Sequence, residues 1–199
     1  MQKVVIWFSK IIAANFMWVI FTILGFAFFG FFPATVALLT VTKEIKNKKV
    51  DKSIFSSFLK SYVGHFLEAN FYGYLLVAIN FSCWLILYYF IDIPVYLSAP
   101  LIALTILVFI ISLLFFPTYI YFDADIINLI KITAIITLSN PVIPFVVGTV
   151  ILMYYIIIFQ TNFLIIFPTI FLFVIFSLGA YLIHILITPA INKFRLIDN

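Results

Sequence analysis

From Ile132 to Asn192 the chain runs for 61 residues without an Asp, Glu, Lys or Arg. A second uncharged stretch, Ile11 to Thr42, is 32 residues long. About 30 Å of hydrocarbon takes about 20 helical residues per crossing. The longer stretch therefore holds two crossings, and the shorter one exceeds what a single upright helix needs. Backbone in lipid must satisfy its own hydrogen bonds, which leaves helices or closed barrels. Barrel strands alternate in polarity over about ten residues. Residues 69–91 instead form an almost unbroken apolar tract, so the expected spans are helical.

Composition agrees. Hydrophobic residues make up 66% and charged residues 9% of the 199, and mean hydropathy is +1.30. So few charges cannot coat a water-soluble globule of this size. Several crossings consume most of the length, leaving no room for a soluble catalytic or nucleic-acid-binding domain. The net charge of +4 comes from loop lysines, and no nucleic-acid partner is expected. Cys83 is the only cysteine and reads as a small hydrophobe. Lys3 and Lys10 precede an apolar run as in a signal peptide, but that run is too long and more spans follow, so a retained first helix is expected.

The fold class is therefore all-α: one polytopic transmembrane helix bundle over 1–199, of about five spans with six as the alternative, and short interfacial helices. The expected spans are 15–41, 69–91, 100–122, 142–160 and 163–187. An interfacial segment containing Trp7 precedes the first, which is read as one long bent helix with a re-entrant hairpin as the competing geometry. Gly25, Gly30 and Pro33 are its weak points, because proline removes a helix hydrogen bond. The expected structural break is assigned to Gly30 and Pro33, with the freed Phe29 carbonyl needing a partner such as Thr35 or a neighbouring Asn.

Residues 43–65 form the main polar region, a basic loop carrying Lys43, Lys46, Lys48, Lys49, Lys52 and Lys60 against Glu44 and Asp51. Asp51 or Ser53 is placed to cap a short amphipathic surface helix with Ile54, Phe55, Phe58 and Leu59 on one face. The lysines suit anionic lipid headgroups. Placing this loop and the C-terminus in the cytoplasm puts nine basic residues inside and leaves only Lys3 and Lys10 outside, as the positive-inside rule prefers. A re-entrant first segment would bring those two inside as well.

His65 and Glu68 are three apart, on one helix face. Asp123 and Asp125 form a DxD pair, and His184 lies in the last span, where an ionisable group carries a functional hypothesis. If the topology holds, His65, Glu68, Asp123, Asp125 and His184 make a polar cluster towards the cytoplasmic face. Boundary carboxylates and a packed histidine are the bland alternative. One His–Glu pair falls short of the three protein ligands of a catalytic zinc, and no metal, cofactor or catalytic residue is assigned. Asn15, Asn70, Asn80 and Asn162 need partners within the bundle.

The stretches Asn15-Phe16-Met17-Trp18, Leu24-Gly25 and Phe28-Phe29-Gly30-Phe31-Phe32-Pro33-Ala34-Thr35 resemble the YesL-like family of bacterial multi-pass membrane proteins, a domain of unknown function. The resemblance continues through Val41-Thr42-Lys43-Glu44, Phe58, Ala69-Asn70, Phe116-Pro117-Thr118-Tyr119 and Asn140-Pro141. It departs in a tryptophan-poor loop and Ile/Phe-rich later spans. It implies a bacterial cell membrane and a link to carbohydrate uptake, and transfers no catalytic residue. The leading expectation is an accessory or regulatory component of a carbohydrate-uptake system, partnered with transporter subunits or with copies of itself. A small-solute permease and a membrane-embedded enzyme are the alternatives.

Overall fold

The computed structural model describes residues 2–47, 53–90, 94–149, 152 and 176–198. Among these the chain is helical throughout, with no strand. In chain order the helices are α1 (Gln2–Leu24), α2 (Phe31–Lys46), α3 (Ile54–Gly64), α4 (Phe66–Tyr89), α5 (Val95–Tyr119) and α6 (Ile126–Ser139). They continue with α7 (Val142–Thr149) and α8 (Phe176–Asp198). Lys48, Lys49, Asp51, Lys52 and, apart from Leu152, the expected spans between 150 and 175 lie outside the described residues.

The single bent span over 15–41 is instead two helices packed against each other, α1 and α2. The chain reverses between them at residues 25–30, where Phe26 and Ala27 take φ of 55° and 59°, a left-handed backbone that costs an L-residue about 1–2 kcal/mol. The reversal needs Gly25 and Gly30 for closeness. A Cβ on Gly25 would stand 2.3 Å from the Gly30 Cα, and one on Gly30 would stand 2.5 Å from the Thr22 carbonyl oxygen. Pro33 then falls in the first turn of α2, where its missing N–H leaves no helix bond unmade. It starts the second helix rather than kinking the first.

By length and apolarity, Val4–Leu24, Phe66–Tyr89 and Ser98–Tyr119 suffice to cross a membrane. The pair α6 and α7, bent by 91° at Asn140-Pro141, makes a fourth if taken as one broken span. Against the expected count of about five, the described residues hold three or four candidates. α4 is apolar all round and largely exposed, the surface a lipid-facing helix presents. α5 starts before Pro100 and ends at Tyr119, short of the expected 122, because the chain turns into the extended stretch that carries Asp123 and Asp125. The polar tail beyond 187 is helical, continuing α8 through Pro189.

Only residues 47–53 separate α2 from α3, so most of the expected basic loop is helix. Ser53 occupies the α3 N-cap position, but its side chain makes no capping bond. α3 turns Phe58 and Tyr62 onto Phe21 of α1, with ring centroids 5.2 and 4.9 Å apart. Phe58 is fully buried while Phe55 and Leu59 stay exposed, so the apolar face is divided between protein and surroundings. One core joins α1, α2 and α3 to Phe115 and Phe116. A second joins Leu114, Ile136, Ile143, Val147, Ile187 and Ile191.

Candidate functional site

α4 begins directly after His65, which sits at the junction with α3. Glu68 is therefore in the first turn of α4, and both residues reach Tyr119 at the last position of α5. The Tyr119 hydroxyl donates to Glu68 Oε2 at 2.5 Å and lies 2.9 Å from His65 Nδ1. A hydroxyl has one proton to give. With that proton directed at Glu68, His65 donates from Nδ1, and the order of donation runs from His65 through Tyr119 to Glu68.

These groups line a cleft of about 740 Å³ together with Thr40, Tyr72, Tyr121, Asp123 and Asp125. The structure thus brings together four of the five polar residues singled out in the sequence. The extended backbone at Asp125 lets both aspartates border one space, which a continuous helix would not, since neighbours two apart diverge by about 200°. Among the described residues, no group of three or more His, Cys, Asp or Glu is placed to hold a metal ion.

His184 is elsewhere. It is fully buried, with Nε2 2.7 Å from the Leu39 carbonyl oxygen and Nδ1 3.1 Å from the Tyr121 hydroxyl. A carbonyl only accepts, so the Nε2 proton is fixed, and in the neutral ring Nδ1 accepts from Tyr121. Tyr121 also lies 3.2 Å from Thr188 Oγ1. It borders the cleft as well, so the two polar groups meet at this one ring.

Two of the lysines expected in the basic loop belong to this second group. Lys43 Nζ donates to the Ile120 carbonyl at 2.6 Å and stands 3.8 Å over the Tyr121 ring centroid. Lys46 Nζ donates to the His184 carbonyl at 2.5 Å and to Thr188 Oγ1 at 2.6 Å. They tie α2 to the end of α5 and to α8. Lys60 is exposed on α3.

Asparagines join the helices. Asn70 Nδ2 donates to the Phe29 carbonyl at 3.0 Å, and Asn80 Nδ2 donates to Ser112 Oγ at 2.7 Å. Asn15 Oδ1 accepts from the backbone N–H and hydroxyl of Ser177, both at 3.0 Å. Sequence reasoning missed the roles of Tyr119, Tyr121 and Thr188, and of Tyr74, whose hydroxyl donates to the Phe28 carbonyl at 2.6 Å. Only the tyrosines' position beside polar residues at span ends could have drawn notice. Two apolar recesses, of about 280 and 680 Å³, share Phe31, Thr35, Leu113 and Phe116 and carry far less polarity than the cleft.

Fold and site together define a helical membrane protein with a polar cleft where two apolar helices begin and end. Its residues 11–89 match the family described as "Protein of unknown function, DUF624", a region running from α1 to the last residue of α4. The chain is 23% identical over 198 residues to "Uncharacterized protein YesL" of Bacillus subtilis (strain 168), covering 96% of this chain and 88% of that protein. Two further proteins of that organism are similar over shorter stretches. "Uncharacterized protein YteU" is 29% identical over 124 residues, covering 59% of this chain and 54% of that one. "Uncharacterized protein YesV" is 32% identical over 118 residues, covering 57% of each. These matches bear out the resemblance to the YesL-like family, whose function is unknown. No solved structure gives a significant match.

Proposed function

We propose that the chain is a membrane-embedded accessory component of a bacterial carbohydrate-uptake system, and that its cleft seats a cationic segment of a transporter subunit. The observation that carries this reading is the sign of the cleft. Glu68, Asp123 and Asp125 line it with His65 and three tyrosines, and among the described residues no Lys or Arg lines it, the nearest being Lys43 at its border on Ile120 and Tyr121. A recess of one charge sign recruits a partner segment of the other, and rejects like-charged ones. Tyrosine rings add faces for an arginine or lysine side chain. The carbohydrate part rests on the YesL-like resemblance. In this reading the cleft opens to the cytoplasm, on the side of the basic residues.

The test compares a tagged wild-type chain with the triple variant Glu68→Gln, Asp123→Asn, Asp125→Asn, both purified from native membranes. Transporter subunits should accompany the first and be lost from the second at equal abundance, and deletion should slow oligosaccharide uptake. Identical recovery with both chains, or unaltered uptake after deletion, sinks the proposal.

A further inference from the structure

The reversal between α1 and α2 presents bare phenylalanines. Phe26 is 89% exposed and Phe28 65% exposed, and Ile23, Leu24 and Phe29 beside them are exposed too. Three observations fix where such a tip belongs. Its backbone is closed: the amide of Gly25 donates to Phe21, that of Ala27 to Thr22, that of Phe29 to Gly25 and that of Phe31 to Ala27, at 2.8–3.1 Å. Two of its carbonyls are taken by α4, Phe28 by the Tyr74 hydroxyl at 2.6 Å and Phe29 by Asn70 at 3.0 Å. A surface turn leaves such groups to water, whereas a turn in hydrocarbon must satisfy them internally.

The second observation is depth. Asn70 and Tyr74 lie in the first three turns of α4, and α4 continues for 15 residues to Tyr89, which is about 22 Å of helix. Phe116, packed on Phe32 of α2 at 5.9 Å between ring centroids, is likewise three residues from the end of α5. If α4 crosses about 30 Å of hydrocarbon, the tip stops well short of the far surface. The third is the return path. α2 brings Thr40 to the cleft that holds Glu68, and Lys43 to the Ile120 carbonyl just past α5.

We infer that α1, the reversal and α2 form a re-entrant hairpin whose phenylalanine tip sits among the acyl chains of one leaflet, entering and leaving by the face that carries Glu68. The lipid partner follows from the absence of charge from Ile11 to Thr42. The start of α1, which carries Lys3 and Lys10, and the end of α2 then share one side, which removes the charge conflict of a first segment that crosses fully.

The experiment uses the full chain with Cys83→Ser, spin-labelled at Phe26→Cys and reconstituted in phosphatidylcholine–phosphatidylglycerol vesicles. Phe29→Cys is the second site, and Asn47→Cys is the aqueous reference. Collisions with oxygen should exceed those with a water-soluble nickel chelate at both tip sites, with the ratio reversed at Asn47. Doxyl lipids should broaden the tip signals most when the doxyl sits in the leaflet on the Asn47 side. Chelate access to both tip positions overturns the inference, whichever side it comes from. So does a tip depth in the leaflet opposite Asn47.

Discussion

Gly25 and Tyr119 act through opposite means, one by absence and the other by reach. Gly25 has no side chain where the two halves of the hairpin touch, and a methyl there would meet the Gly30 Cα at 2.3 Å and the Tyr62 hydroxyl at 2.9 Å. The first neighbour is backbone and cannot step aside without opening the reversal. Gly25→Ala should therefore lower stability by about 1–3 kcal/mol, the range of overpacked sites. Thermal unfolding in mild detergent reads the shift. A midpoint equal to wild type would mean that the reversal is looser than its geometry. Tyr119 instead spans from α5 to two groups on the α3–α4 junction, so one hydroxyl sets the shape of the cleft. Its importance was hidden in the sequence, where tyrosines at span ends are common interfacial anchors.

At the scale of elements, the apolar helices were legible and their connections were not. α4 and α5 follow directly from uninterrupted hydropathy, because a lipid-facing helix advertises itself in every residue. The length from Ile11 to Thr42 demanded an interruption but did not say which residues would turn, and the positive φ values fall on Phe26 and Ala27 rather than on any glycine. Lys43 and Lys46 make contacts that a count of charges does not foresee. Charge counting sees an ammonium and assigns it to water, whereas four methylenes allow it to reach carbonyls inside the bundle. Lys46 does this across α2 and α8. Lys46→Met keeps the stem and removes both hydrogen bonds, at an expected cost of about 1.5–3 kcal/mol for bonds to a charged group. Thr188→Val removes one of those bonds together with the Thr188 contacts to Tyr121 and the His184 carbonyl, and the double variant should fall short of the sum because the two residues share a contact. Unfolding midpoints of the three variants give the comparison. Strict additivity would show that Lys46 and Thr188 do not depend on each other.

For the whole molecule, sidedness joins the hairpin, the cleft and the basic residues into one claim. Lys43 and Lys46 reach the same end of the bundle as Glu68 and Asp123, since Lys43 bonds Ile120 and Thr40 borders the cleft. α4 and α5 run away from that end to Tyr89 and Val95. The orientation proposed from charge puts Asn47, the cleft and Lys193 inside, and the start of α5 outside. In a Cys83→Ser background, Asn47→Cys should resist an impermeant maleimide on intact cells and react once the membrane is opened. Tyr96→Cys, exposed near the start of α5, should react on intact cells. Glu68→Cys should follow Asn47 rather than Tyr96, because cleft and connection share one face. Labelling of Asn47 and Glu68 together on intact cells would invert the orientation while leaving the hairpin intact. Labelling of Glu68 with Tyr96 but not with Asn47 would mean that α4 does not cross and that α2 ends on the face opposite Glu68, which breaks the hairpin. Because the two failures have separate signatures, the orientation argued from charge and the re-entry argued from hydrogen bonds stand or fall independently.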